Sequence, residues 1–315
     1  MELNENIFRA NDIRGIAFED LTEEVVFALG KALGTESINR KQGDFIIGRD
    51  GRLSSPQLFE WLSEGVLSTG SDVTNIGVVP SPVFYHSTFN LDSSNGVVIT
   101  GSHNPADYNG FKILFNNNST SSEEIQSIKK RIKEQDFLSG TGNIKSLDVI
   151  ESYVEEVTHN IELKRPLNIS IDCGNGAASV VAERVYKGLG CQVKGLYCDL
   201  DGNFPNHHPD PSKPENVEDL IKSVLENESE IGLAFDGDAD RLGVISPSGE
   251  MIFPDMQMIL FSEQVLKKNP NSKIVFDVKC SKLLEEAILK SKGIPVMSKT
   301  GHTFIKSMIR DHGAI

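Results

Sequence analysis

Thr100-Gly101-Ser102-His103-Asn104-Pro105, running on through Ala106-Asp107-Tyr108-Asn109-Gly110-Phe111 to Lys112, is the stretch that decides how this chain is read. An apolar run, Gly96-Val97-Val98-Ile99, precedes it and has the composition of a buried strand. Gly101 accepts backbone angles closed to other residues and Pro105 stiffens the exit, so backbone geometry would present the Ser102 hydroxyl on a turn. That is how a reactive serine is displayed. Gly-Ser-His alone is an ordinary loop sequence, and only the longer string sets it apart. The serine-hydrolase elbow Gly-x-Ser-x-Gly does not fit, because Thr100 and Asn104 stand where glycines are required, so acyl transfer is disfavoured.

A second loop, Asp236-Gly237-Asp238-Ala239-Asp240-Arg241, lies between the apolar runs 231–235 and 242–246. Carboxylates at i, i+2 and i+4 on one tight loop repel one another unless something positive sits among them, and an all-oxygen site favours Mg²⁺ or a similar hard cation over zinc. The plain alternative is a solvated acidic turn, but flanking strands this apolar leave the loop little freedom to spread its charges. A calcium hand fails on spacing: counting from Asp236, Arg241 stands where the glycine belongs and Pro247 where the closing glutamate belongs. A phosphatase with an Asp-x-Asp nucleophile is the nearer rival. The third aspartate and the separate serine loop argue against it.

Thr100 to Pro105, with the trailing Tyr108-Asn109-Gly110-Phe111-Lys112, resembles the phosphoserine loop of the phosphohexomutases, in the bacterial phosphomannomutase/phosphoglucomutase branch. The aspartate loop resembles the metal loop of the same family, and so does Asp201-Gly202-Asn203-Phe204-Pro205-Asn206-His207-His208-Pro209-Asp210-Pro211. The resemblance implies a fold of tandem repeated three-layer α/β/α domains with mixed sheets. It implies a reaction in which phosphorylated Ser102 donates to a hexose 1- or 6-phosphate, forming a 1,6-bisphosphate that turns over and returns its other phosphate. Mg²⁺ would be held by Asp236, Asp238, Asp240 and a Ser102 phosphate oxygen, with glucose 1,6-bisphosphate as activator. Arg14 and Lys112 match positions that contact the moving phosphoryl group, and charge stabilisation is the role that their permanent positive charges suit. His103 would orient the loop or shuttle a proton. Lys279 and His302 match substrate-contacting positions, Arg241 would bridge domains or meet the substrate, and Asn11 stands beside the substrate where the family usually has tyrosine. His207 and His208 suggest a metal pair at first sight, but adjacent histidines rarely chelate one ion and the surrounding prolines favour a structural loop.

Composition reads as an ordinary globular protein and leaves a small anionic substrate open where positive charges cluster. The 315 residues carry a net charge of −14, which excludes a general nucleic-acid surface. The four cysteines show no Cys-x-x-Cys spacing and read as reduced thiols in a cytoplasm, and no run approaches a membrane span. A monomer acting on hexose phosphates, with no nucleic-acid or membrane partner, is expected. Along the chain the reading predicts helices over 22–33, closed by Gly34, over 55–68 and over 121–135, with a linker at 140–143. After that linker, strand 168–172 precedes a helix over 177–189. A strand, polar loop and helix recur near residues 45, 168 and 273, which suggests repeated domains at 1–147, 148–250 and 251–315. Family members continue into a sugar-recognition loop, Gly-Glu-x-Ser-Gly-His, and a fourth domain. The chain is therefore expected to be a C-terminally truncated form with an incomplete third domain, no fourth, and weakened turnover. Two alternatives remain: a non-catalytic metal and sugar-phosphate binding fragment, and a phosphoglucosamine mutase, against which Thr100-Gly101 counts because those relatives carry Ser-Ala-Ser-His-Asn-Pro.

Overall fold

The computed structural model describes residues 3–10 and 12–315, with the side chains of residues 302 and 303 outside the description. Two compact units are present, residues 1–249 and 250–315. The first opens with β1 (Ile13–Ile16), α1 (Glu23–Arg40), β2 (Phe45–Arg49), α2 (Ser55–Leu67), β3 (Val73–Val78) and α3 (Ser81–Asn90). It continues with β4 (Gly96–Ile99), β5 (Tyr108–Phe115), the two-residue β6 (Asn118–Ser119), α4 (Ser122–Glu134) and β7 (Ile144–Ser146). These strands form one mixed sheet in the order β1-β5-β4-β2-β3-β7, with β6 on β5. Strands β2, β3, β4 and β7 are parallel, while β5 runs against both β4 and β1.

Period-two alternation makes this sheet the middle of three layers. Phe45, Ile47, Val97 and Ile99 face a core shared with α1, α2 and α4, while the intervening Ile46 and Val98 face Val83 and Phe84 of α3. Both faces are buried, so the strands read as continuous apolar runs.

Helix α1 is longer than the sequence predicts. Thr22 caps it, its hydroxyl accepting from the Val25 N–H, but the chain passes through Gly34 and leaves the helix only at Lys41, which is left-handed at φ 56°. Gly34 is there for space: a Cβ on it would lie 2.9 Å from the Val66 carbonyl oxygen of α2. Gly30 and Gly65 face each other in the same contact, and a Cβ on Gly65 would lie 2.3 Å from the Phe27 carbonyl oxygen. Helix α4 has a capping box between Ser121 and Glu124, and buries Ile125, Ile128 and Ile132. Lys129 and Lys133 pair with Glu5, and Arg131 pairs with Glu36 and Asp136.

The segment 140–143 is not a free linker. The N–H groups of Gly140 and Gly142 bond the carbonyls of Ser68 and Leu67 at 2.9 Å each, and β7 then pairs with β3 as the sheet edge. All three residues of β7 are exposed, so no apolar pattern announces the strand.

The second sheet follows α5 (Ile150–Asn160) and uses β8 (Asn168–Asp172), α6 (Ala182–Gly188), β9 (Gln192–Leu196), α7 (Glu218–Glu226), β10 (Ile231–Phe235) and β11 (Leu242–Ile245). Within the first unit its order is β11-β10-β8-β9. The predicted helix over 177–189 is broken into a 3₁₀ turn, Ala177–Val180, and α6. The break falls at Val181, whose φ of −132° is not helical, and the Ala177 N–H at the start of the turn is held at 2.9 Å by the carbonyl of Gly237 in the acidic loop.

In residues 250–315, β12 (Met251–Ile252) and α8 (Pro254–Lys268) precede β13 (Lys273–Asp277), α9 (Lys282–Lys290), β14 (Ile294–Ser298) and α10 (His302–His312). Leu266, Ile274, Phe276, Leu284 and Ile288 form its core. The pairs β2/β3, β8/β9 and β13/β14 are each parallel neighbours joined through a helix. The repeated order seen in the sequence is thus a parallel strand–helix–strand unit used three times. Among the described residues no helix is long and apolar enough to cross a membrane.

The Gly30/Gly65 contact separates two effects of opposite sign. Helix propensity alone makes Gly65→Ala stabilising by about 1 kcal/mol. Overpacking against the Phe27 carbonyl makes it destabilising by about 1–3 kcal/mol. Denaturant unfolding is expected to show the loss.

Candidate active site

Ser102 sits just past the end of β4, almost fully buried, in the left-handed region at φ 50°. The unusual backbone angle falls on the serine itself, where the sequence reading put it on Gly101. A non-glycine residue held there stores roughly 1–3 kcal/mol and needs surrounding structure to enforce it. The enforcement is visible. Its N–H donates to the Thr100 hydroxyl at 2.8 Å, and its carbonyl accepts from Arg52 Nη2 at 2.8 Å.

Arg52, only 1% exposed, also donates to the carbonyls of Asn104 at 2.7 Å and Tyr108 at 3.0 Å, and its Nε meets Asp50 at 3.2 Å. Asp50 in turn accepts from the Gly101 N–H at 3.1 Å and the Ser55 hydroxyl at 2.6 Å. The buried pair after β2 thus clamps the serine loop from beneath. Gly101 is required for clearance, since a Cβ there would lie 2.4 Å from Arg52 Nε.

The acidic loop, from the second sheet, meets this turn directly. Ser102 Oγ donates to Asp236 Oδ2 at 3.1 Å, and a Cβ on Gly237 would lie 2.3 Å from the Ser102 carbonyl oxygen. Asp236, Asp238 and Asp240 each offer an oxygen, all within 4.8 Å of one another. Lys112, on β5, reaches Asp238 and Asp240 at 2.5 Å each, and Asp238 also accepts the Ser81 hydroxyl at 2.5 Å. Burial would lower the Lys112 pKa, but the two carboxylates outweigh it and hold the ammonium above its ordinary range. Asp236 goes the other way: burial, then Asp238 and Asp240, push it well above the usual carboxylate range.

The donor set fits a hard divalent cation. Asp238 Oδ1 is buried with no hydrogen-bond partner among the described residues, and the loop carries more negative charge than Lys112 offsets. An ion among the three carboxylates would satisfy that oxygen and relieve Asp236.

The remaining predicted residues divide between the two units. His103 Nδ1 lies 3.1 Å from Ser102 Oγ, and burial, helped by the positive Arg241 and Arg14, lowers its pKa and keeps the ring neutral. Arg14, on β1 opposite Gly110, is buried and pairs with Asp12 at 2.6 Å, leaving its Nε without a partner among the described residues. Arg241 donates its N–H to Asp236 at 3.0 Å and extends a half-exposed guanidinium. Lys279 follows β13 in the second unit, where its N–H bonds Asp277 at 2.8 Å, and His302 opens α10. Asn11 lies outside the described residues.

His207 and His208 serve different partners. His207 Nε2 meets Asp172 at 3.0 Å, while His208 Nε2 donates to the His103 carbonyl at 2.6 Å and ties the loop 201–211 to the serine turn. Sequence reasoning missed Asp50, Arg52 and Ser81, while the structural role it gave the loop of His207 and His208 agrees with these bonds. The one available signal was an aspartate and an arginine flanking Gly51 directly after an apolar strand.

Descriptions of phosphoglucomutase/phosphomannomutase alpha/beta/alpha domains I, II and III match residues 5–139, 151–249 and 253–315. The chain belongs to the alpha-D-phosphohexomutase family, in its bacterial branch. A phosphomannomutase/phosphoglucomutase of Pseudomonas aeruginosa is 45% identical over 310 residues, covering 98% of this chain and 67% of that protein. A phosphoglucomutase of Neisseria gonorrhoeae is 44% identical over 315 residues, covering 99% and 68%. A solved phosphoglucomutase/phosphomannomutase family protein from Burkholderia thailandensis superposes with a TM-score of 0.95 at 42% identity, covering 99% of this chain and 70% of that one. The three α/β/α domains and mixed sheets expected from the family are present.

Two outcomes follow from the polar scaffold. Arg52→Met leaves the carbonyls of Ser102, Asn104, Pro105 and Tyr108, and Asp50, without their donor, and is expected to cost about 3–5 kcal/mol in denaturant unfolding, as for other broken buried pairs. For His207, burial acts to lower the pKa, but its bond to Asp172 and the charge beside it raise it overall. A raised folded-state histidine pKa contributes stability that is complete below the unfolded pKa of about 6.5 and lost as pH rises through the folded value. An NMR titration is expected to place the His207 pKa above 6.5 as a rough reference, and Asp172→Asn to bring it down.

Proposed function

We propose that this protein is a phosphohexomutase that interconverts hexose 1-phosphates and hexose 6-phosphates of the mannose and glucose type through a phosphoserine at Ser102. The observation that carries the reading is the bond between Ser102 Oγ and Asp236 across two separate sheets. Phosphoryl transfer relies on positioning and on charge stabilisation. The Arg52 and Asp50 clamp supplies the first, holding the serine at a backbone angle that aims its hydroxyl at the acidic loop. Lys112 and Arg14 supply the second, one as an ammonium locked in its charged form and the other through its unpartnered Nε. The neutral His103 ring orients the Ser102 oxygen. Arg241, Asn11, Lys279 and His302 are assigned to the substrate, on the family pattern.

Asp236, Asp238 and Asp240 would hold Mg²⁺, which supplies positive charge for the phosphoryl oxygens. The reading carries with it glucose 1,6-bisphosphate as activator and a monomer in the cytoplasm. Domain limits of 1–147, 148–250 and 251–315 belong to the same proposal; they are supported by β7, which completes the first sheet at Ser146, and by the three matched segments.

Incubation with glucose 1,6-bisphosphate and Mg²⁺ is expected to add one phosphoryl group by intact mass, located on Ser102 and absent in Ser102→Ala. Asp238→Asn is expected to slow the labelling by on the order of 10²–10³, the scale of a lost electrostatic contact at a transferring group. A chelator is expected to stop it. Metal binding without any labelling of Ser102 would instead mark a binding module.

A further inference from the structure

Outside the phosphoryl-transfer site, two of the four cysteines lie together. Cys173 follows β8 and is fully buried, and Cys198 follows the parallel neighbour β9 and is partly exposed. Cys198 Sγ lies 3.4 Å from Cys173 Sγ, within hydrogen-bond reach, and 3.3 Å from the Leu196 carbonyl oxygen. The backbone keeps the sulfurs facing each other, because the Cys173 N–H bonds the Leu196 carbonyl at 3.1 Å and the Asn175 N–H bonds the Tyr197 carbonyl at 2.9 Å. The segments that carry them are turns and not regular structure: Gly174, Asn175 and Tyr197 have φ values of 51°, 56° and 51°. A disulfide needs its sulfurs at about 2.05 Å, so closure asks for a shift of a little over an ångström, within reach of side-chain rotation and small turn movements.

We propose that Cys173 and Cys198 form a modification site, a dithiol that peroxide converts reversibly to an intramolecular disulfide. The chemistry divides between the two thiols by access. The Cys198 thiolate attacks a peroxide oxygen, the O–O bond breaks, and protonation releases one water, leaving a Cys198 sulfenic acid. Cys173 then attacks the Cys198 sulfur; the S–O bond breaks, and the leaving hydroxide takes the Cys173 proton as a second water. Two electrons pass from the sulfur pair to the peroxide. A hydrogen bond from the Cys173 thiol to the Cys198 thiolate lowers the Cys198 pKa and raises that of Cys173, burial adding to the rise, which matches an attacking and a resolving role. Cys280 contrasts with this pair: its thiol faces the Asp277 carboxylate at 3.9 Å. In a reducing compartment a pair of this kind is a transient sensor, not a structural bridge. The inference stands independently of the phosphomutase reading.

Brief treatment of the folded protein with hydrogen peroxide, followed by thiol titration in denaturant, is expected to lower the free thiols from four to two. Intact mass is expected to fall by two hydrogens, peptide mapping to join Cys173 to Cys198, and dithiothreitol to restore the starting count. Cys173→Ser is expected to leave a Cys198 sulfenic acid that dimedone traps, and Cys198→Ser to abolish the link. Four thiols remaining after treatment, a link between two molecules, or oxidation of Cys198 past the sulfenic stage with Cys173 still free in the unmutated protein would overturn the proposal.

Discussion

Three carboxylates on five consecutive residues create a local excess of negative charge, and most of the site can be understood as its compensation. Two unit charges about 4 Å apart interact by about 4 kcal/mol at an effective dielectric of about 20, so leaving Asp236, Asp238 and Asp240 ionised together without compensation is prohibitive. The fold recruits Lys112 from β5, Ser81 from the start of α3 and the Ser102 hydroxyl. All three come from the first sheet and the elements that flank it, whereas the acidic loop belongs to the second. Charge compensation therefore doubles as the join between the two sheets, and the same join delivers the serine to the acids.

What resists collapse of that arrangement is backbone architecture. Gly237 lies against the Ser102 carbonyl, where a side chain would not fit, and its own carbonyl holds the Ala177 N–H. On the other side, Arg52 gathers carbonyls of the serine loop and hands its charge to Asp50. A buried arginine of this kind is costly to desolvate and acceptable only when its donors are used, as they are here. His208 closes the third side through the His103 carbonyl. The reactive turn is thus fixed by partners on three loops, none of which needs to move for Ser102 to face the acids.

Much of this was legible in the amino-acid order, and the omissions have physical causes. The two loops announced themselves because each interrupts continuous apolar runs, and three aspartates so closely spaced have few structural uses. The parallel crossover units were readable because strand, loop and helix recur in the same order. Gly34 misled because a glycine late in a helix is an ordinary stop signal, while the reason for this one, the closeness of α2, is a tertiary fact. Strand β7 was hidden because its side chains are all exposed. The role of Arg52 was invisible because its partners are main-chain carbonyls 50 and more residues away, and backbone groups leave no trace in sequence.

The most direct test is a crystal structure of the phosphorylated protein grown with Mn²⁺ in place of Mg²⁺ and recorded at the manganese absorption edge. The account predicts one anomalous peak bounded by oxygens of Asp236, Asp238, Asp240 and the Ser102 phosphate, with Lys112 displaced from among the carboxylates. A manganese peak elsewhere, or Lys112 still bridging Asp238 and Asp240 with no ion beside Ser102, would contradict it.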